Sequence, residues 1–349
     1  MTKLSINLNK IALLRNQRDV GYPDVVDAAR KVIAAGAHGI TVHPRPDQRH
    51  TRPSDVRDLA ALVANELGGR VELNIEGNPT EDFLALVEEV RPTQVTLVPD
   101  APDQRTSDHG WDLAADEARL RPIVARLARA GMRVSLFMDA APAAMARAKE
   151  TGAHRIELYT EPYARAFAAG DYAAELDRFA AAAEAAAAQG LGVNAGHDLN
   201  LANLPTLRRR LPMLLEVSIG HAFTADALEL GYAAAVRAYL AALHAWDVAE
   251  ASRVLEEATG RQVEPSDGER AYVFRLDRPS EPPHWLHVSH ELIELEGDPG
   301  FRKRLPDIVP HLTTAGQSLL VTLTSNRVRA EPAADAISSG RESGSRPRE

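Results

Sequence analysis

Short apolar runs rich in β-branched residues alternate eight times with longer amphipathic runs over the first 244 residues, and this alternation limits the fold more than any other feature of the chain. The strand-like runs are 4–8, 39–42, 71–75, 94–98, 133–138, 155–159, 192–195 and 214–219. The helical runs are 22–35, 53–67, 80–90, 113–130, 143–151, 172–189, 201–210 and a last one from about 225 to 244. Strict alternation makes the strands parallel, with right-handed crossovers. Eight such units in roughly 250 residues predict an α/β fold, the (β/α)8 TIM barrel. An open doubly wound sheet usually has fewer units and a Gly-rich phosphate turn after its first strand. No such turn follows residues 4–8.

In a barrel the chemistry sits on the loops that leave the strand ends. Those ends carry Asn7, Asn9 and Lys10; His43, Arg45, Arg49 and His50, stiffened by Pro44 and Pro46; Glu76; Pro99 with Thr106 beyond; Asp139; Glu157, Tyr159 and Thr160; His197; and Gly220 with His221. The opposite ends carry Gly, Ala and Thr. His43, Glu76, Glu157 and His197 can give and take protons near neutral pH. Arg18, Arg45, His50, Thr106 and the Gly220-His221 turn can hold oxyanions, the turn because it opens a helix whose N-terminal amides cradle phosphate. Any one of these histidines has an equally good structural explanation, but four acid/base groups at one mouth point to catalysis. Two separate anion sites would serve two phosphorylated substrates. No pair of histidines has helical metal-ligand spacing, so no metal is expected.

Composition removes other classes. There is no cysteine, so disulfides, thiol nucleophiles and thiolate metal sites are excluded. A formal net charge of −9 argues against nucleic acid as a partner. The Ala-rich stretch 179–190 is too short, and broken by Glu184, to be a membrane span. Met-Thr-Lys runs straight into a strand, so no signal peptide and a cytoplasmic location are expected.

Taken in order, these residues carry a resemblance. Asn7-Leu-Asn-Lys-Ile-Ala-Leu-Leu-Arg-Asn-Gln-Arg18, Gly-Ile-Thr-Val-His43-Pro-Arg45 through Arg-His50, Leu-Asn-Ile-Glu76, Leu-Val-Pro99, Val-Ser-Leu-Phe137, Ile-Glu157-Leu-Tyr-Thr160, Val-Asn-Ala-Gly-His197 and Ile-Gly-His221 together resemble the pyridoxine 5′-phosphate synthase family, from about Leu4 to His244. The resemblance implies a cofactor-free barrel enzyme of vitamin B6 synthesis. It would condense 3-amino-2-oxopropyl phosphate with 1-deoxy-D-xylulose 5-phosphate to pyridoxine 5′-phosphate, inorganic phosphate and water. By the same resemblance His43 and Glu76 are proton acceptors, His197 is the proton donor and Glu157 stabilises transition-state charge. Asn7, Asp198, Gly220 and His221 would hold the amino-ketone phosphate. Asn9, Lys10, Arg18, Arg45, His50 and Thr106 would hold the pentulose phosphate. A homo-oligomer, an octamer in the family, is implied, with Arg18 reaching a neighbouring subunit's site. The pattern is departed from in two places: Asn9-Lys10 where many members have Asp-His, and Asp198 where glycine often follows the histidine.

Two other readings use the same residues. A phosphosugar aldolase working through a Schiff base wants a lysine at a late strand end, and Asp139, Glu157, His197 and His221 supply none. A non-catalytic sensor of pyridoxine phosphate need not keep His43, Glu76 and His197 together. Beyond the resemblance, residues 245–325 read as a small α+β domain of unknown role, with helices at 245–259 and 301–312 and strands at 271–276, 284–288 and 318–324. His284, His287 and His290 read as a wet sheet surface rather than a metal site. Residues 326–349, rich in Ser, Gly, Pro, Arg and Glu, are expected to be disordered.

Overall fold

A computed structural model describes residues 2–18, 20–101, 104, 106–243, 248–268 and 271–333. The chain divides into two compact units, Met1–Leu243 and His244–Glu349. The first is a closed barrel of eight parallel strands in the order β1 to β8. The strands are β1 (Lys3–Asn7), β2 (Gly39–Val42), β3 (Glu72–Gly77), β4 (Gln94–Leu97), β5 (Arg133–Met138), β6 (Arg155–Tyr159), β7 (Gly192–Gly196) and β8 (Leu214–Ile219). β1 closes the barrel on β8, with Ile6 opposite Ile219.

The two-residue period of a strand separates two surfaces. Leu4, Ile6, Ile40, Val42, Leu73, Ile75, Val95, Leu97, Val134, Leu136, Ile156 and Leu158 are buried in the main core cluster, with apolar residues of the surrounding helices. The alternate positions form a polar layer joined by hydrogen bonds. Ser5 Oγ lies 2.8 Å from Thr41 Oγ1, and Thr96 donates to Asn74 Oδ1 at 2.9 Å. Barrels of this kind are usually filled with Val, Ile and Leu, and the polar filling here departs from that pattern. Below that layer Glu72 is ion-paired with both Lys3 and Arg133. Arg155 donates to Asn194 at 3.1 Å and faces Glu216 at 3.8 Å.

Several helices differ from the sequence reading. Asn9–Asn16 and Glu161–Ala169 are additional helices. Pro23 lies before its helix, Val25–Ala34, which Asp24 caps by accepting the Asp27 amide at 2.7 Å. The single last helix is two, His221–Leu230 and Tyr232–Leu243, broken at Gly231, whose φ of 80° is left-handed and ends a helix readily. Thr80 caps Glu81–Val90 as expected from its hydroxyl.

The second unit holds a five-stranded sheet in the order β13-β12-β11-β10-β9. Its strands are β9 (Gln262–Asp267), β10 (Ala271–Asp277), β11 (His284–Ser289), β12 (Leu319–Leu323) and β13 (Val328–Pro332). β11 and β12 are parallel and the other neighbours antiparallel. Helices Val248–Thr259, His290–Lys303 and Leu305–Leu312 belong to this unit, and Leu255, Phe274, Leu286, Ile308 and Val321 are in its core. Two expectations are corrected here. β13 lies inside the stretch 326–349 that composition marked as disordered, because Leu319–Leu323 offers it a full antiparallel ladder; residues 334–349 lie outside the described residues. His284 is not on a wet surface: it is fully buried, its Nδ1 accepts the Leu319 amide at 3.1 Å and its Nε2 donates to Thr314 O at 2.8 Å. Among the described residues no group of three or more His, Asp or Glu is arranged to hold a metal ion, and no helix is long and apolar enough to cross a membrane.

Candidate active site

The acid/base side chains come from four strands. His43 is the first residue past β2, Glu76 is in the last turn of β3, Glu157 is in β6 and His197 is the first residue past β7. His43, Glu76 and Glu157 are each at most 6% exposed. His43 Nδ1 lies 3.9 Å from Glu76 Oε2. On its other side His43 Nε2 lies 3.7 Å from Asp100 Oδ2. The His43 backbone amide donates to Asn9 Oδ1 at 2.8 Å, and Thr51 Oγ1 donates to the same oxygen at 2.9 Å. Asn9 is used there purely as an acceptor, a task that an aspartate performs equally well.

His197 sits in an aromatic box, 5.2 Å from the Phe137 ring and 5.4 Å from that of Tyr159. Its φ of 82°, followed by 56° at Asp198, is left-handed at two successive non-glycine residues. Such strain persists where the surroundings impose it. Thr160 Oγ1 donates to both Gly196 O and His197 O, and Asn203 Nδ2 to Asp198 O at 3.1 Å. The Asp198 side chain is exposed. Gly196 leaves room for Glu157: a Cβ there would run into Glu157 Oε1.

Burial decides where the protons are. It pushes the Glu157 carboxyl up to about 8, helped by the negative charge of Glu216. Glu76 is raised well above the ordinary carboxyl value by burial and by Glu157, Asp100 and Glu216. His197 is lowered to about 4 by burial and by Lys10, against an opposing pull from Asp198. His43 is lowered well below its usual value by burial and by His50, Arg45, His197 and Arg49. Burial and like charge therefore favour the protonated form of these two carboxyls and the neutral form of the two imidazoles.

The other sequence-chosen residues divide into two groups. Asn7 ends β1 and packs against Gly220, where a Cβ would come 3.1 Å from Asn7 Cβ; Gly220 precedes helix His221–Leu230. His50 has its ring 6.1 Å from that of His43 and is lowered to about 4 by burial and by Arg45 and Lys10. Lys10, Arg18, Thr106 and His221 are exposed. Arg45 is buried, and most of its guanidinium is engaged by the loop after β4: Nη1 pairs with Asp100 at 2.8 Å, and Nη2 donates to Ala101 O at 3.1 Å and Gln104 O at 2.8 Å. Among the described residues its Nε–H and one Nη1–H are given no partner and could serve an anion.

Sequence reading missed Asp100. It directly follows Pro99 at the end of β4, and its rank as a strand-end carboxylate was the available signal. It also missed Arg15, which pairs bidentately with Asp55 at 2.5 and 2.8 Å and steadies the Arg45–Arg52 loop through His50 O.

Residues 4–245 match the family model described as pyridoxal phosphate biosynthesis protein PdxJ. A pyridoxine 5′-phosphate synthase of Mesorhizobium japonicum is 58% identical over 241 residues, covering 69% of this chain and 98% of the relative. Those of Allorhizobium ampelinum and Albidiferax ferrireducens are 59% and 57% identical, covering 68% of this chain and 96% of each relative. A match of this identity across nearly the whole length of its relatives, on a barrel whose acid/base residues face one another at the strand ends, is sufficient: the chain belongs to the pyridoxine 5′-phosphate synthase family.

Proposed function

We propose that the barrel condenses 3-amino-2-oxopropyl phosphate with 1-deoxy-D-xylulose 5-phosphate, giving pyridoxine 5′-phosphate, inorganic phosphate and water. The observation that carries the residue roles is the 3.9 Å approach of His43 to Glu76 at a mouth shared with Glu157 and His197. An amine must add to a ketone, water and phosphate must leave, and the ring must close and aromatise. Each step moves a proton, so several acid/base groups serve better than one nucleophile.

Burial favours neutral imidazoles and protonated carboxyls before substrate arrives. Neutral His43 is ready to accept a proton. The amino-ketone arrives as an ammonium; that cation beside Glu76 favours its ionised form, so the carboxyl releases its proton to solvent and then takes the ammonium proton, which frees the amine. Two phosphates bring negative charge to the mouth and raise both imidazoles, which turns His197 into the donor for departing water. Glu157, held neutral by burial, donates a hydrogen bond to the alkoxide that forms at the attacked carbonyl. Asn7, the His197–Asp198 backbone and the amides after Gly220 receive one phosphate. Asn9, Lys10, Arg45 and His50, with Thr106 from the loop after β4, receive the other. Arg18, exposed on its own subunit, serves a neighbour's site in a homo-oligomer, an octamer by family resemblance, working in the cytoplasm.

The test is turnover of single variants at saturating levels of both phosphates. Glu76→Gln and His197→Gln should each lower kcat by about 10²-fold or more, the usual contribution of a positioned acid or base. Wild-type kcat in either variant would remove that residue from the mechanism.

A further inference from the structure

We infer that Asp100 is a positioning residue for His43, its carboxylate taking the Nε2–H so that the basic Nδ1 is turned to Glu76. The inference rests on the reading of His43 as a proton acceptor.

The imidazole stands between two carboxyl groups, Glu76 at 3.9 Å from Nδ1 and Asp100 at 3.7 Å from Nε2. These are a little beyond hydrogen-bond length, as catalytic contacts often are before substrate closes the site. The two groups differ in charge. Among the described residues no lysine or arginine is paired with Glu76, and burial raises its carboxyl well above the ordinary value. Burial raises the Asp100 carboxyl, but its Oδ2 accepts the Ser107 hydroxyl at 2.9 Å and is paired with Arg45 Nη1 at 2.8 Å, and both partners pull towards the ionised form. Its other oxygen, Oδ1, is buried without a hydrogen-bond partner among the described residues. An ionised carboxylate with unused acceptor capacity beside an imidazole nitrogen fixes the tautomer, because the proton sits on the nitrogen that faces the acceptor.

The backbone holds this arrangement in place. Asn78 Nδ2 donates to Asp100 O at 2.9 Å, and Val98 N donates to Gly77 O at 3.0 Å. The two carboxyl groups that bracket His43 are thus tied together through the ends of β3 and β4. Charge adds a second role. Burial, His50, Arg45, His197 and Arg49 all oppose a proton on His43, and burial also raises the Glu76 carboxyl. Asp100 is the counter-charge that lets His43 accept a proton during turnover. Without it Arg45 is left uncompensated, and His43 becomes a weaker base.

The experiment measures kcat and both KM values from pH 5 to 9 for the full chain and for Asp100→Asn, Asp100→Glu, Asn78→Ala and His43→Gln. Asp100→Asn is expected to lower kcat by about tenfold to a hundredfold, to change each KM by less than about threefold, and to move the acid limb of kcat down by at least about half a pH unit. Asp100→Glu keeps the charge, so its acid limb stays at the wild-type pH while kcat is intermediate. Asn78→Ala loosens the loop but leaves the carboxylate, and it also keeps the wild-type limb. If Asp100→Asn fails to fold, as judged by circular dichroism, Asp100→Glu is read alone, and kcat equal to wild type overturns the inference. A slow His43→Gln beside an Asp100→Asn with a wild-type pH profile overturns the role of Asp100 only. Wild-type kcat in His43→Gln overturns the reading of His43 and the inference with it. An acid limb shifted equally by Asn78→Ala assigns the effect to the loop and also overturns the inference.

Discussion

Replacing Glu157 with glutamine should make the protein more stable and a poorer enzyme at once. The carboxyl is buried on β6, and burial together with Glu216 raises it to about 8. In the unfolded chain it returns to the ordinary carboxyl range. Between these two values the native state binds a proton that the unfolded state has lost, so stability falls as pH rises through that window. Below the lower value both states are protonated and the penalty vanishes. At pH 7.5 the penalty amounts to roughly 1–3 kcal/mol, because Glu76 and Glu216 share the same burial and repulsion. Glutamine is nearly isosteric and does not titrate, so it removes the penalty. At about 2–4 °C per kcal/mol for a barrel of this size, thermal unfolding at pH 7.5 should rise by about 2–12 °C, with little change at pH 5. The same variant loses the proton needed at the reaction centre, and kcat should fall by about 10²-fold. A melting temperature lowered equally at both pH values would show that Glu157 is ionised and paired in the native state, and would refute the proton assignment.

Asp55→Ala leaves the buried Arg15 guanidinium without its bidentate partner and Arg52 N without its acceptor. It should cost about 3 kcal/mol in denaturant unfolding and raise the KM for a phosphate substrate through the His43–Arg52 loop. Gly110→Ala forces a Cβ onto the Asp139 amide and the Met138 backbone. The strain should cost about 1–3 kcal/mol and displace Trp111, whose Nε1 donates to Leu97 O at 2.8 Å, with a change in tryptophan fluorescence as readout. Arg18→Ala mixed with His43→Ala should recover part of the activity if subunits share sites; no recovery in mixed oligomers would place Arg18 outside the neighbour's site. A chain ending at Leu243 should stay folded with turnover within about tenfold of full length, because a closed barrel has no free edge to complete; a folded truncation slowed more than that would assign residues 244–349 a part in the site.

How much of this could be read from the residues depends on which force set each feature. The barrel was legible because short apolar runs such as Leu4, Ile6, Ile40 and Val42 alternate with longer amphipathic ones eight times along the chain. His43, Glu76, Glu157 and His197 were legible because strand ends expose their chemistry by position alone. Helix Asn9–Asn16 was hidden: its apolar face is short and Leu8, at its cap position, makes no side-chain cap. Gly231 was passed over inside an Ala-rich run that reads as one helix. Asp100 was hidden because its importance lies in Arg45, Ser107 and His43, which only the folded loop brings to it. The single-file histidines of β11 misled for a related reason. Alternation along a strand puts His284 on the core face, and a buried histidine is tolerated where both ring nitrogens find backbone partners.

Turnover with the two proposed substrates tests the central claim most directly. Purified full-length chain is mixed with 3-amino-2-oxopropyl phosphate and 1-deoxy-D-xylulose 5-phosphate, and the pyridoxine 5′-phosphate absorbance is followed alongside released inorganic phosphate. Both products should appear together, in equal amounts and over many turnovers, and much more slowly in His43→Gln. Tight binding of either phosphate without ring formation, or phosphate release without pyridoxine 5′-phosphate, would contradict it.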